Sequence, residues 1–223
     1  MPYVFDVYGT LLDVDAAVRK VANEKEMEVV GANLLDLSVA WRARQLSYSW
    51  LRTTMQRYVD FWDVTESALD VTLSEMGLDG NPSLRARLLS LYTTLPAYDE
   101  VPAVLRKMAK DNHGMAVLSN GSPKMLEIAL GSAGIASHFN WVLSVDTVKR
   151  YKPDPLVYQM ATEAFDCAAA DIIFFSSNNW DISGAGVFGF TTIWINRADK
   201  LWDDLPAKPT NVVSSLSAAL DLI

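Results

Sequence analysis

Polar side chains that suit catalysis follow several short apolar runs in this chain of 223 residues. The first is Asp6, a carboxylate in the stretch FDVYGT. Hydroxyls, amides, a lysine and a second acid stand further along in SNGS (residues 119–122), YKPD (residues 151–154) and SSNNWD (residues 176–181). An acid, a lysine and hydrogen-bonding groups that meet in one place form a candidate catalytic site.

Each of these residues also has a purely structural explanation. Asp6 fits a turn or helix cap, and Ser122 fits a helix N-cap because Pro123 follows it. Lys152 fits a solvated charge, and Asp181 fits an acid in a first helical turn, where the helix dipole favours it. Taken singly, the structural explanation is the better one for all of them except Asp6. Only their convergence on one place favours a shared function.

The order of elements predicts such convergence. From about Asp99 onward, apolar runs alternate with helical patterns, which is typical of an α/β fold with a parallel sheet flanked by helices. The predicted strands cover residues 3–7, 115–118, 141–145, 172–176, 191–195 and, weakly, 212–213. Helix starts are marked by Ser122-Pro123 and Asp154-Pro155. Ligands bind outside the carboxyl ends of parallel strands, which is where the polar stretches stand.

The segment between the first two predicted strands is helical in pattern. The predicted helices cover residues 16–26, 34–58, 66–76 and 84–94, the last after the start signal Asn81-Pro82. About eighty helical residues are too many for an ordinary loop. We therefore predict an all-helical cap subdomain over residues 15–96, inserted into an α/β core domain of residues 1–14 and 97–223. A cap that leaves from the end of the first strand is placed as a lid over the site.

Composition narrows the possible partners and the compartment. The formal net charge is -8 and the basic residues are scattered, so we expect no nucleic acid partner. No apolar run approaches the roughly 20 residues of a membrane span, and Met1-Pro2-Tyr3 leads into a strand-like segment, so we expect no membrane association, no leader and a cytoplasmic protein. Cys167 is the only cysteine and there are two histidines, so an intrachain disulfide is excluded and a Ser-His-Asp mechanism has little to work with.

These motifs together resemble those of a known family. FDVYGTLLD, LSNGS, YKPD and SSNNWDISGAGVFGF are similar to the motifs of the haloacid dehalogenase superfamily, specifically of the type II L-2-haloacid dehalogenases. WRARQLSYSWLR (residues 41–52) and RYVDF (residues 57–61) resemble the cap helix of the same enzymes. The resemblance implies a Rossmannoid core with a helical cap. It also implies hydrolysis of short 2-haloalkanoic acids, including haloacetates, to 2-hydroxy acids with inversion, through a covalent ester on Asp6.

The resemblance assigns catalytic roles to residues at the strand ends. An aspartate, whose ordinary pKa is about 4, is ionised at neutral pH, so Asp6 would attack without a general base. Lys152 would keep this nucleophile ionised and Ser119 would hold the substrate carboxylate. The remaining implied catalytic residues are Thr10 and Ser176, which would orient the nucleophile, and Asn178 and Asp181, which would position Lys152 and the hydrolytic water.

The resemblance also implies residues that contact the substrate or the halide. Arg42, in the cap, matches an arginine that binds the departing halide or the substrate carboxylate. Asn120 and Trp180 match the halide cradle, and the other implied contacts are Tyr8, Leu46, Phe61 and Tyr158. For Leu46, Phe61, Trp180 and Tyr158, ordinary core packing explains the residue type nearly as well.

Two alternatives remain open at this stage. Most of the superfamily are magnesium-dependent phosphatases, which carry a second aspartate where this chain has Tyr8 and usually an acid where it has Ser177. Asp6 and Asp181 alone would be a thin ligand set for Mg²⁺, so we expect no metal and no cofactor. The other alternative is a catalytically silent binding module, which would predict gaps in the catalytic set. We favour the dehalogenase, acting on a small 2-haloacid as a homodimer.

Overall fold

The sheet brings the first strand to its centre. The computed structural model describes residues 1–22, 24–110 and 113–223, and within them six parallel strands form one sheet in the order β3-β2-β1-β4-β5-β6. The strands are β1 (Tyr3–Phe5), β2 (Met115–Ser119), β3 (Trp141–Ser144), β4 (Ile173–Ser176), β5 (Thr191–Ile195) and β6 (Asn211–Val213). Phe5, the last residue of β1, pairs with Val117 on one side and Phe175 on the other. The carboxyl ends of β1, β2 and β4 therefore lie side by side.

The predicted α/β fold with a parallel sheet is confirmed. Every predicted strand is present, and its ends match the prediction to within two residues. The main difference is at β1, which ends at Phe5 rather than at residue 7. Leu11 and Leu12 both donate their backbone N–H groups to the Val7 carbonyl, so the chain turns there instead of continuing in the sheet.

Helices α5 (Val101–Lys110), α6 (Pro123–Ser132), α7 (Pro155–Phe165) and α8 (Asn179–Phe188) alternate with the strands. The predicted cap of α7 is confirmed, because Asp154 Oδ1 accepts from Leu156 N at 3.0 Å. The predicted side-chain cap of α6 is wrong, because Ser122 makes no such bond. Its carbonyl accepts from Leu126 N instead, and Pro123 occupies the first helical position.

Among the described residues, the region between β1 and α5 holds four more α-helices: α1 (Val14–Val21), α2 (Leu34–Thr54), α3 (Phe61–Glu75) and α4 (Pro82–Leu91). Residue 23, within the predicted helix 16–26, lies outside the described residues. α2 ends four residues earlier than predicted, because Gln56 adopts a left-handed conformation with φ 55°. α3 begins five residues earlier than predicted, because Asp60 caps it by accepting from Asp63 N at 3.0 Å.

Two chain segments connect this helical region to the sheet, and they pair with each other. Asp13 N donates to the Pro96 carbonyl at 2.8 Å, and Tyr98 N donates to the Leu11 carbonyl at 3.0 Å. A short antiparallel bridge, Leu12 to Ala97, lies between these bonds. The division at residues 14/15 and 96/97 stays a prediction, and this pairing supports it because both predicted boundaries fall at the same point.

The helical region has its own polar and apolar interior. α2 packs against α3, and the Trp41 indole N–H donates to the Thr65 carbonyl at 2.9 Å. Gln45 Nε2 donates to Thr65 Oγ1 at 2.9 Å, so the buried amide is also paired. Both contacts fix the rotation of α2, which decides which of its side chains face the sheet. None of the described helices has the length and apolar character needed to cross a bilayer.

Candidate active site

Asp6 stands immediately beyond β1, in the middle of the sheet. Its backbone N–H donates to the Phe175 carbonyl at 2.9 Å, which continues the strand pairing by one residue and fixes the direction of the side chain. The carboxylate is buried, with a relative exposure of 6%. A buried carboxylate needs hydrogen-bond donors or a cation to offset the loss of water.

Four side chains supply those contacts. Asp6 Oδ2 accepts from Thr10 Oγ1 at 2.8 Å, from Asn178 Nδ2 at 2.9 Å and, at 3.5 Å, from Ser176 Oγ. Asp6 Oδ1 accepts from Lys152 Nζ at 3.2 Å. The two oxygens therefore differ, since Oδ2 faces several neutral donors and Oδ1 faces the ammonium.

Lys152 is buried between two acids. Its Nζ lies 2.9 Å from Asp181 Oδ2 as well as 3.2 Å from Asp6 Oδ1. Burial alone opposes the positive charge, but the carboxylates of Asp181 and Asp6 outweigh it and raise the pKa of Lys152. Lys152 is therefore an ammonium at neutral pH, and its ion pairs with Asp181 and Asp6 hold it beside the Asp6 carboxylate.

Asp181 is buried in the first turn of α8. Its Oδ1 accepts from the Tyr158 hydroxyl at 2.9 Å and its Oδ2 from Lys152. Burial raises the pKa of Asp181 to about 6, against the opposing effect of Lys152. The group is therefore ionised at neutral pH and takes up a proton in mildly acidic solution.

Thr10 and the residues after β4 fix the direction of the Asp6 carboxylate. Thr10 Oγ1 donates to Asp6 and accepts from Ser177 N at 2.9 Å, so its hydroxyl has a defined direction. Ser177 Oγ in turn donates to the Gly9 carbonyl at 2.6 Å. The hydrogen bonds of Ser177 therefore connect the segment after β1 to the segment after β4. The sequence indicated only that Ser177 lacks the acid of the phosphatases, and it gave no sign of this connection.

The end of β2 contributes Ser119 and Asn120, both buried. Ser119 Oγ accepts from Gly121 N at 3.1 Å. Asn120 Oδ1 accepts from Lys152 N at 3.0 Å, which attaches the lysine backbone to this loop. Both residues face the same small cavity as Asp6.

Arg42 reaches the site from α2. Its Nη2 donates to the Tyr8 carbonyl and to Asn178 Oδ1, both at 3.2 Å. Gly9 adopts φ +81°, and a Cβ at Gly9 would lie 3.2 Å from Arg42 Nη2. A side chain at this position would thus be strained and would crowd the guanidinium.

These groups surround a cavity of about 30 Å³. It is lined by Asp6, Tyr8, Arg42, Gln45, Leu46, Phe61, Tyr92, Ser119, Asn120, Asn178 and Trp180. A larger cleft of about 560 Å³ adjoins it, and Arg42, Leu46, Asn178 and Trp180 line both spaces.

Nine of the fourteen sequence-predicted residues line this cavity, and the five that do not are Thr10, Lys152, Ser176, Asp181 and Tyr158. The Tyr158 ring is fully buried beneath the site, where its hydroxyl bonds to Asp181. Sequence reasoning missed Gln45 and Tyr92, which are buried, line the cavity and bond to each other at 2.7 Å. Their spacing in sequence gave no signal, because only the packing of α2 on its neighbours brings them together.

Tyr8 lines the cavity with a phenol that differs from its neighbours in its hydrogen bonding. Its hydroxyl is buried and makes no hydrogen bond to the described residues. Burial, with smaller contributions from Tyr92 and Asp6, raises the pKa of Tyr8 above its ordinary value. The phenol therefore keeps its proton and presents an unused donor.

The residues do not suit the magnesium ion that the wider superfamily uses. The position between Asp6 and Asp181 is filled by Lys152 Nζ, within 3.2 Å of both carboxylates. A cation there would face the ammonium at close range, and Tyr8 and Ser177 add no carboxylate. Among the described residues, no cluster of three or more His, Cys, Asp or Glu side chains is placed to hold a metal.

Comparison with known proteins agrees with this geometry. Residues 3–189 match the family model of the haloacid dehalogenase-like hydrolases. The chain is 44% identical over 220 residues to (S)-2-haloacid dehalogenase 1 of Pseudomonas sp. (strain CBS-3), covering 99% of this chain and 95% of that protein. It is 39% identical over 219 residues to haloacetate dehalogenase H-2 of Moraxella sp. (strain B), covering 98% of this chain and 96% of that protein.

A solved structure is similar throughout. The L-2-haloacid dehalogenase from Xanthobacter autotrophicus, with chloropropionic acid covalently bound, superposes with a TM-score of 0.89 at 30% identity and covers 99% of this chain and 97% of that chain. The resemblance noted in the motifs is confirmed by these matches. The chain belongs to the haloacid dehalogenase-like hydrolase family and, within it, to the L-2-haloacid dehalogenases.

Proposed function

We propose that this protein is an (S)-2-haloacid dehalogenase that hydrolyses short 2-haloalkanoic acids, including haloacetates, to 2-hydroxy acids. The observation that carries the proposal is the arrangement around Asp6, whose carboxylate accepts from Lys152 Nζ at 3.2 Å and lines a small cavity together with Arg42. The relatives named above, including one with a covalently bound chloropropionic acid, support the same chemistry.

In the first step, Asp6 Oδ1 attacks C2 of the substrate. This oxygen is the better candidate because Oδ2 already accepts from Thr10 and Asn178. A C–O bond forms while the C–X bond breaks, and its electron pair leaves with the halide. Attack from the side opposite the halogen inverts C2, so an (S)-2-haloacid gives an (R)-2-hydroxy acid. No proton is transferred, because a halide leaves as an anion.

In the second step, water attacks the ester carbonyl carbon of Asp6. Negative charge then develops on Oδ2, where Thr10 Oγ1 at 2.8 Å and Asn178 Nδ2 at 2.9 Å act as an oxyanion hole, with Ser176 Oγ at 3.5 Å. The acyl C–O bond breaks, the leaving alkoxide takes up one proton of the water and departs as the 2-hydroxy acid, the other proton is released to solvent, and the water oxygen stays in the Asp6 carboxylate.

Asp181 is the candidate base for that water. A pKa of about 6 suits a base that works at neutral pH. Its two oxygens each accept one hydrogen bond, from Lys152 and Tyr158, and a carboxylate oxygen accepts two. Capacity for a water therefore remains. The same contacts make Asp181 the residue that positions Lys152.

The substrate groups are assigned by chemistry. Ser119 and Lys152 bind the carboxylate, while Arg42, Asn120 and Trp180 surround the departing halide. The alkyl part faces Tyr8, Leu46 and Phe61. Tyr158 acts through Asp181 and not by direct contact with the substrate, and the hydrogen bond from its hydroxyl to Asp181 Oδ1 at 2.9 Å supports this role.

We also propose that residues 15–96 act as a closing cap. Arg42 of α2 stands where the small cavity meets the outer cleft, so the position of α2 determines access to the cavity. Movement of α2 would admit the substrate, and closure would expel water from the charged groups.

The proposed assembly is a cytoplasmic homodimer. Leu35 and Val39 of α2 are exposed apolar side chains one helical turn apart on the same face. A second copy of the chain would cover such a surface. Sedimentation at micromolar concentration tests this, and a monomer of 24.7 kDa would contradict it.

The central experiment measures halide release from (S)- and (R)-2-chloropropionate and from chloroacetate, with and without a chelator. We expect release from the (S) enantiomer and from chloroacetate, unaffected by chelator, and none from Asp6→Asn. Failure on all three compounds, together with magnesium-dependent hydrolysis of a phosphate ester, would refute the proposal.

A single turnover in heavy-oxygen water tests the covalent ester separately. With enzyme in excess, the label is expected in Asp6 and not in the product, because the first product oxygen comes from the carboxylate. Mass spectrometry of the peptide that contains Asp6 reads this directly. Label appearing first in the hydroxy acid would mean that water attacks C2.

A further inference from the structure

The peptide that carries Lys152 is held from two sides. Lys152 N donates to Asn120 Oδ1 in the sheet region at 3.0 Å, and Tyr151 N donates to Thr53 Oγ1 at 2.9 Å. Thr53 stands in the last turn of α2, in the helical region. Two successive backbone N–H groups beside the catalytic ammonium are thus bonded to the two different parts of the molecule.

Further contacts join the same two segments. Arg150 Nη1 donates to the Thr53 carbonyl at 3.1 Å, and the Tyr58 hydroxyl donates to Asp146 Oδ1 at 2.9 Å. The Tyr151 hydroxyl, whose ring is fully buried, donates to the Val59 carbonyl at 2.7 Å. We call residues 53–59, which end α2 and follow it, the latch segment.

Aromatic packing reinforces these hydrogen bonds. The rings of Tyr58 and Tyr151 lie 5.1 Å apart, and Phe61 packs on Tyr151 at 5.8 Å. Phe61 also lines the small cavity. Tyr151 therefore contacts the latch segment and a cavity wall, while its neighbour in sequence carries the ammonium.

The same helix also carries Arg42. Thr53 follows Arg42 by eleven residues, which is about 16 Å along a helix. Movement of α2 as a rigid body therefore moves the guanidinium and the latch segment together. The guanidinium reaches the cavity directly, whereas the latch segment reaches Lys152 through the backbone of Tyr151.

We propose that the latch segment is a positioning device for Lys152: when the cap docks, Thr53 fixes the Arg150–Tyr151 peptide, and the adjoining backbone then holds the ammonium between Asp6 and Asp181. Cap closure and the charge arrangement of the site are then one event. Thr53, Tyr58 and Tyr151 are positioning residues, because none of them touches the reacting atoms. This inference rests on the proposed dehalogenase function.

Loosening this peptide has a defined electrostatic result. The groups around Lys152 Nζ are the carboxylates of Asp6 and Asp181, and the Tyr158 hydroxyl bonds to Asp181. Lys152 lowers the pKa of Asp181 against the effect of burial. If the ammonium withdraws, Asp181 takes up a proton at a higher pH, and the acidic limb of the activity profile moves upward.

The test uses three substitutions at the end of α2. Thr53→Val removes the acceptor of Tyr151 N, and Thr53→Ser restores a hydroxyl at the same place. Thr54→Val is the matched control, because it makes the same change one residue later, where the threonine is exposed and bonds to the Trp50 carbonyl of its own helix. Halide release from (S)-2-chloropropionate is measured for each from pH 4.5 to 9, beside thermal unfolding.

We expect Thr53→Val to lower kcat by about tenfold and to raise the acidic limb by about half a pH unit, since a small misplacement of a catalytic group is costly. Thr53→Ser and Thr54→Val should resemble the wild type in both. The inference is overturned if Thr53→Val keeps the wild-type kcat and the wild-type acidic limb of the pH profile. It is also overturned if Thr54→Val lowers kcat as much as Thr53→Val does.

Tyr58→Phe decides the matter if Thr53→Val does not fold. It removes the hydrogen bond to Asp146 and leaves the aromatic packing in place. We therefore expect the acidic limb of the pH profile to move in the same direction by a smaller amount. A pH profile identical to that of the wild type overturns the inference. Wild-type enzyme without halide release would instead refute the proposed function, so the two failures are distinct.

Discussion

Lys152 Nζ lies 2.9 Å from Asp181 Oδ2, and both side chains are buried. The lysine is therefore closer to Asp181 than to Asp6, whose Oδ1 lies 3.2 Å from Lys152 Nζ. Asp181 offsets the cost of burying the Lys152 ammonium, and the same ammonium also forms an ion pair with Asp6. This three-charge arrangement leads to the first two predictions.

Replacing Lys152 by methionine should abolish halide release and destabilise the fold. Two carboxylates would be left buried without a cation, at a cost of about 3–5 kcal/mol in the free energy of unfolding at pH 8. The folded-state pKa of Asp181 would then exceed about 6, so the folded chain binds more protons than the unfolded chain and the deficit shrinks as the pH falls. Urea unfolding of both proteins at pH 5 and pH 8 measures this. Equal deficits at the two pH values would contradict it.

Tyr158→Phe should shift the pH dependence of kcat. In the wild type, kcat is expected to fall as the pH drops through about 6, where Asp181 takes up a proton. The Tyr158 hydroxyl donates to Asp181 and lowers its pKa, so its removal raises the acidic limb by as much as about one unit. The measurement is kcat between pH 4.5 and 8. An unchanged limb would mean that Asp181 does not control it.

The convergence of Asp6, Lys152 and Asp181 could be predicted from the sequence. Each follows an apolar run, and the rule that parallel strands present ligands at their carboxyl ends brings such residues together without knowledge of the packing. The same rule predicted the position of Ser119. These predictions rest on the parallel arrangement of the strands, which the alternation of strands and helices indicates, and they do not need the order of the strands in the sheet.

The contacts between the cap and the sheet could not be predicted in this way. Gln45 faces the cavity and Thr53 bonds to Tyr151 only because α2 docks at one particular rotation, which packing of Trp41 and Gln45 against Thr65 determines. No local pattern encodes that docking. The start of α3 is a different case, since Asp60 is an N-cap signal that sequence reasoning overlooked.

Gly9→Ala should impair catalysis, whereas Gly31→Ala should not. Both glycines have positive φ, +81° and +56°, so each substitution costs about 1 kcal/mol of stability. A Cβ at Gly9 lies 3.2 Å from Arg42 Nη2, whereas a Cβ at Gly31 meets no described atom within 4 Å. We expect similar losses in thermal stability but a fall in kcat/KM of about tenfold for Gly9→Ala only. Equal kcat/KM values for the two variants would show that Arg42 does not depend on the space at Gly9.

Tyr8→Phe should stabilise the protein and weaken substrate binding. The Tyr8 hydroxyl is buried without a partner among the described residues, so removing it should raise the free energy of unfolding by about 1 kcal/mol. If the hydroxyl donates to the bound 2-haloacid, KM rises severalfold in the same variant.

Tyr92→Phe is the matched control for Tyr8→Phe, because the Tyr92 ring lies 6.0 Å from the Tyr8 ring and its hydroxyl donates to Gln45. Its removal leaves the amide oxygen unpaired and should destabilise the fold by about 1 kcal/mol. Opposite signs in urea unfolding for the two variants are the expected outcome. A Tyr8→Phe variant that is less stable with an unchanged KM would mean that the hydroxyl serves the fold and not the substrate.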